Sequence, residues 1–433
     1  MKRERVSIQA LGCPKALVDA EQMMAAVAQA GFDVTLDIDD CDVLIVNTCS
    51  FIADARTESS LAIEEALKEK KKGNIKRIYV TGCWPQMSLD ELQSRYPSVD
   101  GFLGVGQNSK VPELIGSLSN LPYPTNEGSL LPRLGLMLPH VSYLRVAEGC
   151  SHTCSYCQIP SIRGAYKSFP LANNIAEAKT LAEDGTRELI IIAQDSSIVG
   201  LDANPKYDLA DLTASLSEIH ELEWIRILYS NPMHLSERTL QAYKNKKVLP
   251  YFDIPLQHIN NRILTNMNRP KPDSEEIYDM LKFIRKEFPN AILRTSLIVG
   301  FPGESDSEFE ELFDLIHEIE FDRLGVFTYS DEKGTKAYSL KGKIDKEKVE
   351  ERRDRLMCLQ SEISLSRNEK LIGTTQEAIV DFVYEDYAVG RTKADAPEID
   401  CGITVLSADC EPGDIVKVNI TCCDEYDLEG ELA

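Results

Sequence analysis

The sequence contains no apolar run that approaches the roughly 20 residues needed to span a membrane. The apolar stretch at residues 189–193, for example, is already bounded by Glu188 and Gln194. The charged N-terminal residues are likewise not followed by the apolar segment of a signal peptide. Both absences favour a cytoplasmic protein that makes no contact with a membrane.

Basic side chains are in the minority: 47 Lys and Arg stand against 70 Asp and Glu, and the formal net charge is −23. The excess is concentrated in residues 371–433, which hold fifteen acidic and three basic residues, a net charge of −12. Such a segment repels a phosphate backbone and attracts a basic partner. The alternative is that this charge serves only solubility.

Cysteine, by contrast, is abundant, with twelve residues in a chain of 433. Disulfides are rare in the cytoplasm, so these cysteines favour metal ligands or catalytic groups. The chain is also too long for one ordinary hydrophobic core, and two or three domains are expected.

Residues 1–120 alternate between strand and helix patterns, which predicts a doubly wound parallel α/β domain. Three of its predicted strands end at Cys13, Cys49 and Cys83. Ligands bind beyond the carboxyl ends of the strands in open parallel sheets, so the three sulfur atoms are predicted to share one metal site. A single cysteine is more often a small buried hydrophobe, but three in equivalent positions favour a common site.

The remainder of the chain divides into three further segments. Residues 121–135 are rich in Pro and Gly and predict a linker. Residues 136–367 contain six strand-then-helix units, which predict an open, parallel (β/α)6 partial barrel. Residues 368–433 carry short strands separated by Gly and Pro turns, a pattern typical of a small antiparallel β-barrel.

A second group of cysteines, Cys150, Cys154 and Cys157, lies within eight residues at the end of the first barrel strand. Zinc would require a fourth ligand, for which His152 is the nearest candidate. A four-iron cluster would instead leave one iron without a protein ligand and open to a small molecule that carries an amine and a carboxylate. On this second interpretation His152 is an ordinary loop residue.

The spacing Cys-x3-Cys-x2-Cys, with Tyr156 before the last cysteine, resembles the radical S-adenosylmethionine (SAM) enzymes. The later segment "SLIVGFPGES" is similar to a SAM-contacting segment of the same superfamily. The N-terminal trio and the terminal β-barrel, which resembles a TRAM domain, further resemble the methylthiotransferase family. The resemblance implies two 4Fe–4S clusters, one on each cysteine trio, and SAM as both methyl donor and radical source.

Within that family, "LGCPKALVDAE" and "IPSIRG" resemble the enzymes that modify a ribosomal protein. The substrate so implied is small-subunit ribosomal protein twelve, methylthiolated at the β-carbon of an aspartate, with a flavodoxin or ferredoxin as electron donor. TRAM domains commonly bind RNA, but an RNA-binding surface should be basic, so the acidic barrel disfavours RNA contact. A tRNA adenosine methylthiotransferase is the alternative. A non-catalytic binding protein with structural zinc is the alternative from another class.

Further site candidates lie on or near the predicted barrel strands: Gln194 and Gln257 end strands, Arg294 lies within the fifth strand, Glu304 follows "GFPG" and Tyr156 belongs to the second cysteine group. The predicted cofactor-binding residues are Tyr156, Gln194, Gln257, Arg294 and Glu304. Ordinary hydrogen bonding at a strand end is the competing interpretation for those that end or follow a strand. Arg163 and Lys167, beyond the second cysteine group, are predicted either to meet a carboxylate or to be solvated.

Overall fold

The computed structural model describes residues 3–116 and 131–433. Most of the predicted linker, residues 121–130, therefore lies outside the described part of the chain. No helix within the described residues is both long enough and apolar enough to cross a bilayer.

The N-terminal part is a five-stranded parallel sheet in the order β2-β1-β3-β4-β5. Its strands are β1 (Arg5–Ala10), β2 (Asp33–Val34), β3 (Val43–Thr48), β4 (Arg77–Gly82) and β5 (Gly101–Leu103). Its helices are α1 (Pro14–Gln29), α2 (Ala53–Lys72), α3 (Cys83–Arg95) and α4 (Val111–Leu114).

The helices cover both faces of this sheet, which confirms the doubly wound arrangement. Apolar residues of α1 and α4 pack on one face, and those of α2 and α3 pack on the other. Helix α2 ends at Gly73, whose left-handed backbone terminates the helix after three lysines in its last turn.

The central part contains six parallel strands that follow one another in space in chain order. They are β6 (Val141–Arg145), β9 (Glu188–Ile192), β10 (Trp224–Ile227), β11 (Tyr251–Asp253), β12 (Ile292–Val299) and β13 (Arg323–Thr328). A small hairpin pairs β7 (Ala147–Glu148) with β8 (Lys167–Ser168). The residues around β10 and β11 join the two three-stranded sheets through the bridge Ile225–Val248. The predicted open (β/α)6 barrel is therefore present.

The central part also contains eight α-helices among its described residues. They are α5 (Ile159–Arg163), α6 (Leu171–Glu183), α7 (Leu209–Ser217), α8 (Glu237–Leu240), α9 (Asn261–Asn266), α10 (Ser274–Glu287), α11 (Asp306–Ile319) and α12 (Lys346–Glu369). Helices α10 and α11 both begin with capping boxes, at Asp273 and Ser305.

The C-terminal part is a closed five-stranded barrel in the order β14-β15-β16-β18-β17. Its strands are β14 (Thr375–Val383), β15 (Ala388–Thr392), β16 (Ile403–Val405), β17 (Ile415–Cys423) and β18 (Leu428–Leu432). All pairs are antiparallel except β16 with β18, which are parallel and close the barrel.

This small barrel is bound to the central one by buried charges. Arg391 of β15 donates to Glu188 of β9 at 2.5 Å and to Asp381 of β14 at 2.7 Å. Glu188 also accepts from Arg226 of β10 at 2.8 Å. One apolar cluster contains Val18 of α1, Tyr143 of β6 and Ile379 of β14, so residues of all three parts share a core.

Candidate functional site

A cavity of about 940 Å³ lies at the carboxyl ends of the barrel strands, and all six predicted cysteine ligands line it. Cys13, Cys49 and Cys83 come from the N-terminal part, and Cys150, Cys154 and Cys157 come from the central part. Two groups that the sequence places in separate segments therefore face one cavity.

The N-terminal cysteines are brought together by the order of the strands. Strands β1, β3 and β4 are adjacent and parallel, and a cysteine follows each of them. Cys49 and Cys83 follow β3 and β4 directly, and Cys13 caps the start of α1. Because the carboxyl ends of adjacent parallel strands lie at one edge of the sheet, the three side chains meet there.

Glycine precedes Cys13 and Cys83, and both glycines allow an unusually close approach. A Cβ atom on Gly12 would lie 2.8 Å from the Cβ of Cys49 and 3.2 Å from its sulfur. A Cβ atom on Gly82 would lie 2.5 Å from the Oδ1 atom of Asn47. Both glycines have φ near +97°, which side chains rarely permit. The backbone thus forms a cradle that only glycine can line.

The second cysteine group lies on a loop held by the barrel around it. The amide of Cys150 donates to the carbonyl of Gly164 at 3.0 Å. The amide and hydroxyl of Ser155 donate to the carbonyls of Met267 and Asn266, at 2.9 and 2.7 Å. These bonds fix the loop against the end of α9.

The spacing of the sulfur atoms distinguishes between metals. Tetrahedral zinc with bonds of about 2.3 Å would place its sulfur ligands about 3.8 Å apart. Among the described residues, neither cysteine trio has its three sulfurs all within 4.8 Å of one another. His152 does not group with either cysteine trio; its Nε2 atom lies 3.0 Å from Asp195 Oδ2, and Asp195 and His234 are its neighbours among the described residues. The donor sets fit a larger, all-sulfur centre such as an iron–sulfur cluster.

Two of the cysteine thiols hold their protons more tightly than a solvent-exposed cysteine does. Burial raises the pKa values of Cys83 and Cys157 to about 12. A metal must therefore displace protons from these thiols. Each trio also has a guanidinium group nearby: Arg163 Nη2 lies 3.8 Å from the Cys83 sulfur, and Arg269 Nη1 lies 3.8 Å from the Cys154 sulfur. These cations suit centres that carry negative charge.

Four of the five predicted cofactor-binding residues line the cavity: Tyr156, Gln194, Gln257 and Arg294. Gln194 donates to Glu148 at 3.2 Å, whereas its buried Oε1 atom has no partner among the described residues. Gln257 has φ of +74°, a strained conformation of the kind that clusters at binding sites. Arg294 donates to Asp253 at 2.8 Å, so part of its charge is already compensated.

Glu304 has a different place, because it does not line the cavity. Its Oε2 atom accepts from the amides of Gly300 and Phe301 at 2.9 and 3.3 Å, and its Oε1 atom accepts from Arg352 at 2.6 Å. The carboxylate therefore holds the loop that follows β12 to helix α12. Gly300 of that loop does line the cavity.

Arg163 contacts carboxylates, which was one of the two predictions made for it. These carboxylates belong to this chain. The Nη2 atom of Arg163 donates to Asp19 of α1 at 2.9 Å, and its Nη1 atom lies 3.2 Å from Glu148. Arg145 donates to the same Asp19 at 2.6 Å. Lys167 is exposed, in agreement with its other interpretation. Asp19 thus joins the N-terminal helix to the barrel between the two cysteine trios.

Sequence reasoning missed several residues of the site. Lys15, Asp19, Tyr229 and Arg269 all lie on the cavity or directly behind it, but only their three-dimensional neighbours reveal this. The signals for Lys15 were its position two residues after Cys13 and its place in the segment "LGCPKALVDAE". No pattern in the sequence indicated Tyr229, whose φ of +63° turns it toward the cavity after β10.

Three family sequence models match the chain in succession. The Uncharacterized protein family UPF0004 matches residues 5–104, the Radical SAM superfamily matches residues 144–316, and the TRAM domain matches residues 372–433.

Curated relatives match the chain over nearly its whole length. The ribosomal protein uS12 methylthiotransferase RimO of Clostridioides difficile is 41% identical, over 99% of this chain and 98% of the relative. The proteins of that name from Caldicellulosiruptor saccharolyticus and Trichlorobacter lovleyi are 42% and 40% identical. They match 99% and 100% of this chain, respectively, and each alignment covers 99% of the relative.

Solved structures share the fold at low sequence identity. The radical S-adenosylmethionine methyltransferase TsrM from Kitasatospora setae, with cobalamin and a [4Fe-4S] cluster bound, has a TM-score of 0.54 and 12% identity. That match covers 76% of this chain and 75% of TsrM. The cobalamin-dependent S-adenosylmethionine radical enzyme OxsB has a TM-score of 0.51 at 11% identity, over 84% of this chain and 56% of OxsB.

Proposed function

The chain belongs to the RimO family of ribosomal protein uS12 methylthiotransferases, and from this premise we propose that it attaches a methylthio group to the β-carbon of an aspartate in that protein. The observation that carries the proposal is the single cavity lined by both cysteine trios. A reaction that removes a hydrogen atom and then inserts sulfur needs both functions to reach one carbon atom.

The family's cofactors are two 4Fe–4S clusters and SAM. In this proposal the two cysteine trios would supply the cluster ligands. Cys150, Cys154 and Cys157 hold the cluster that binds SAM, and Cys13, Cys49 and Cys83 hold the second cluster. When bound, these groups supply a radical that abstracts hydrogen from an unactivated carbon, a methyl group and a site for sulfur. Tyr156, Gln194, Gln257 and Arg294 are the proposed contacts to SAM, and Glu304 positions the loop at Gly300.

The protein's own contribution is to hold these groups at fixed separation and to keep water out. Apolar side chains, among them Phe51, Ile162 and Ile298, line the cavity between the polar groups. They protect a reactive intermediate from solvent. The ion pairs of Asp19 with Arg145 and Arg163 fix the position of the N-terminal trio relative to the barrel.

The organisation proposed from the sequence follows these roles. Residues 1–120 form the domain with the second cluster, residues 121–135 the linker, residues 136–367 the radical SAM core and residues 368–433 the TRAM-like barrel. A ribosomal substrate places the enzyme in the cytoplasm, where a flavodoxin or ferredoxin supplies electrons. The net charge of −12 over residues 371–433 supports a basic ribosomal protein as the partner and disfavours RNA contact.

Mass spectrometry of cells that lack this chain tests the proposal. Ribosomal protein uS12 should lose the mass of one methylthio group, the site of that group should map to an aspartate, and re-expression of the chain should restore it. The methylthio content of tRNA should not change. Loss of a tRNA modification with an unaltered uS12 would show that the chain acts on tRNA instead.

A further inference from the structure

Lys15 is a buried cation on the cavity wall. It is the second residue of helix α1 and lies two residues after Cys13. The residue is only 6% exposed, and it lines the cavity. Its Nζ atom lies 4.0 Å from the centre of the Tyr229 ring, another cavity residue. The ring face holds the ammonium group in place by a cation–π contact.

Among the described residues, Lys15 donates no hydrogen bond and has no carboxylate within 4.0 Å, unlike the other cations on the cavity wall. Arg163 pairs with Asp19, Arg294 with Asp253, Lys343 with Asp331, Lys346 with Glu350 and Arg353 with Asp354. Arg269 donates to the carbonyl of Pro255 at 3.1 Å and approaches Cys154. A buried charge without a counter-ion is costly, so an unpaired one that faces a cavity indicates an anionic ligand.

Three anions could bind Lys15, and the position of Lys15 distinguishes between them. The carboxylate of SAM belongs near Cys150, Cys154 and Cys157, where Arg269 already supplies a cation. Within the N-terminal trio, Arg163 lies 3.8 Å from the Cys83 sulfur, whereas Cys13 acts on Lys15 electrostatically without accepting a hydrogen bond from it. Lys15 has no hydrogen bond to any sulfur among the described residues. The remaining anion is one that enters from solution between the trios.

We propose that the ammonium group of Lys15 binds the side-chain carboxylate of the target aspartate, and thereby places its β-carbon between the two cysteine trios. This inference rests on the proposed function. Lys15 is a positioning residue for the substrate and takes no part in SAM cleavage. It also explains selection for an acidic target, because a neutral amide could accept a hydrogen bond from the ammonium but would not compensate its buried charge.

A double comparison tests the proposal. Two forms of uS12 are compared, one with its target aspartate and one with that aspartate replaced by asparagine. We measure how tightly each form binds the wild-type enzyme and Lys15→Met, with Lys15→Arg as the conservative variant. Lys110→Met, at an exposed lysine of the same domain, is the control. Iron content, reductive SAM cleavage without uS12 and the KM for SAM are measured alongside.

We expect the wild-type enzyme to bind the aspartate form at least about tenfold more tightly than the asparagine form, and Lys15→Met to bind both alike. Lys15→Arg should restore part of the preference, and Lys110→Met should retain all of it. Iron content, SAM cleavage and the KM for SAM should stay at wild-type values in every variant.

Three results would overturn the assignment. An undiminished preference in Lys15→Met would show that another group reads the carboxylate. A raised KM for SAM would assign Lys15 to the carboxylate of SAM. A loss of about half of the iron would assign it to the second cluster. Failure of the proposed function itself looks different, since the wild-type enzyme would then bind neither form of uS12.

Discussion

At the scale of single residues, the site depends on close contacts that tolerate no added atom. Gly12 allows the loop before Cys13 to lie against Cys49, and its φ of +98° is one that other residues rarely adopt. A cluster needs all three sulfurs at once, so one displaced loop is enough to remove it.

Gly12→Ala should therefore empty the N-terminal site selectively. The reconstituted variant should contain about four irons per chain in place of about eight, since each cluster holds four. It should still cleave SAM reductively but form no methylthiolated uS12. Iron and sulfide analysis, with SAM cleavage and product mass measured in parallel, checks this.

Gly73→Ala is the matched control for that variant. Gly73 has a similar φ of +83°, but a Cβ atom there would have no neighbour within 4 Å. It imposes the backbone strain without the clash, so its iron content should equal that of the wild type. An equal loss of iron in both variants would mean that strain, and not contact with Cys49, causes the effect.

At the scale of elements, helix α1 is the joint between the N-terminal sheet and the barrel. Cys13 caps it, Lys15 faces the cavity, and Asp19 binds Arg145 of β6 and Arg163 of α5. Burial opposes ionisation of Asp19, but the two guanidinium groups outweigh it and lower its pKa from 3.8 to about 2. The carboxylate is thus ionised at every pH at which the protein works.

Asp19→Asn should weaken this joint, because it removes one of the two carboxylates that Arg145 and Arg163 share, the other being Glu148. Removing the sole partner of a buried charge typically costs about 3–5 kcal/mol, and because both arginines keep Glu148 the loss should lie toward the lower end of that range. The depressed pKa means that the contribution of Asp19 is complete well above pH 3.8 and is lost as the pH falls toward about 2. Thermal unfolding of wild type and variant should differ by a constant amount from pH 7 to about 5, and the difference should shrink in more acidic buffers.

The exposed Asp90 of helix α3 provides the control for the joint. Asp90→Asn should unfold at the wild-type temperature throughout this range. A difference between Asp19→Asn and wild type that grows on acidification would contradict the ion-pair assignment.

At the scale of the whole molecule, the distribution of charge suits a basic partner, and the C-terminal barrel carries much of the excess negative charge. Two acidic residues of its β17–β18 turn have structural duties: Asp424 accepts from the amides of Tyr426 and Asp427 at 2.7 Å, and Asp427 accepts from Gly402 at 2.7 Å. Other acidic side chains on the barrel are exposed and suit a test of charge alone: Glu385, Asp386, Glu425 and Glu429.

Neutralising these four side chains as Gln or Asn should slow association with uS12 by about tenfold at low salt. The difference should fade as salt rises, because the screening length is about 8 Å at physiological ionic strength. SAM cleavage without uS12 should not change. Stopped-flow association across a salt series measures the effect. The control neutralises four exposed acidic residues on the other two parts of the chain: Glu64, Glu65, Glu218 and Glu221.

An equal slowing by both sets of substitutions would mean that overall charge, and not the barrel, steers the substrate. Tight, salt-sensitive binding to tRNA in place of uS12 would overturn the choice of partner.

The sequence predicted the parts of the site that depend on strand order. Cys13, Cys49 and Cys83 converge because parallel neighbours end at one edge, a rule that needs no coordinates. The joint at Asp19 could not be predicted, since it connects residues 126 and 144 positions apart. Glu304 shows another limit: its motif indicated a cofactor contact, but its carboxylate is engaged by backbone amides and Arg352. The parallel pairing of β16 with β18 could not be predicted either. It results from closure of the barrel, and local sequence patterns do not indicate which distant strands will pair.

The central claim is that two cysteine trios with separate tasks serve one cavity, and the most direct measurement compares them in reconstituted enzyme. The variant with Cys13, Cys49 and Cys83 all changed to Ala should retain about four irons and cleave SAM, and it should yield no methylthiolated uS12. The variant with Cys150, Cys154 and Cys157 changed to Ala should retain the other four irons and cleave no SAM. Methylthiolated uS12 from the first variant, detected by mass spectrometry, would contradict the claim.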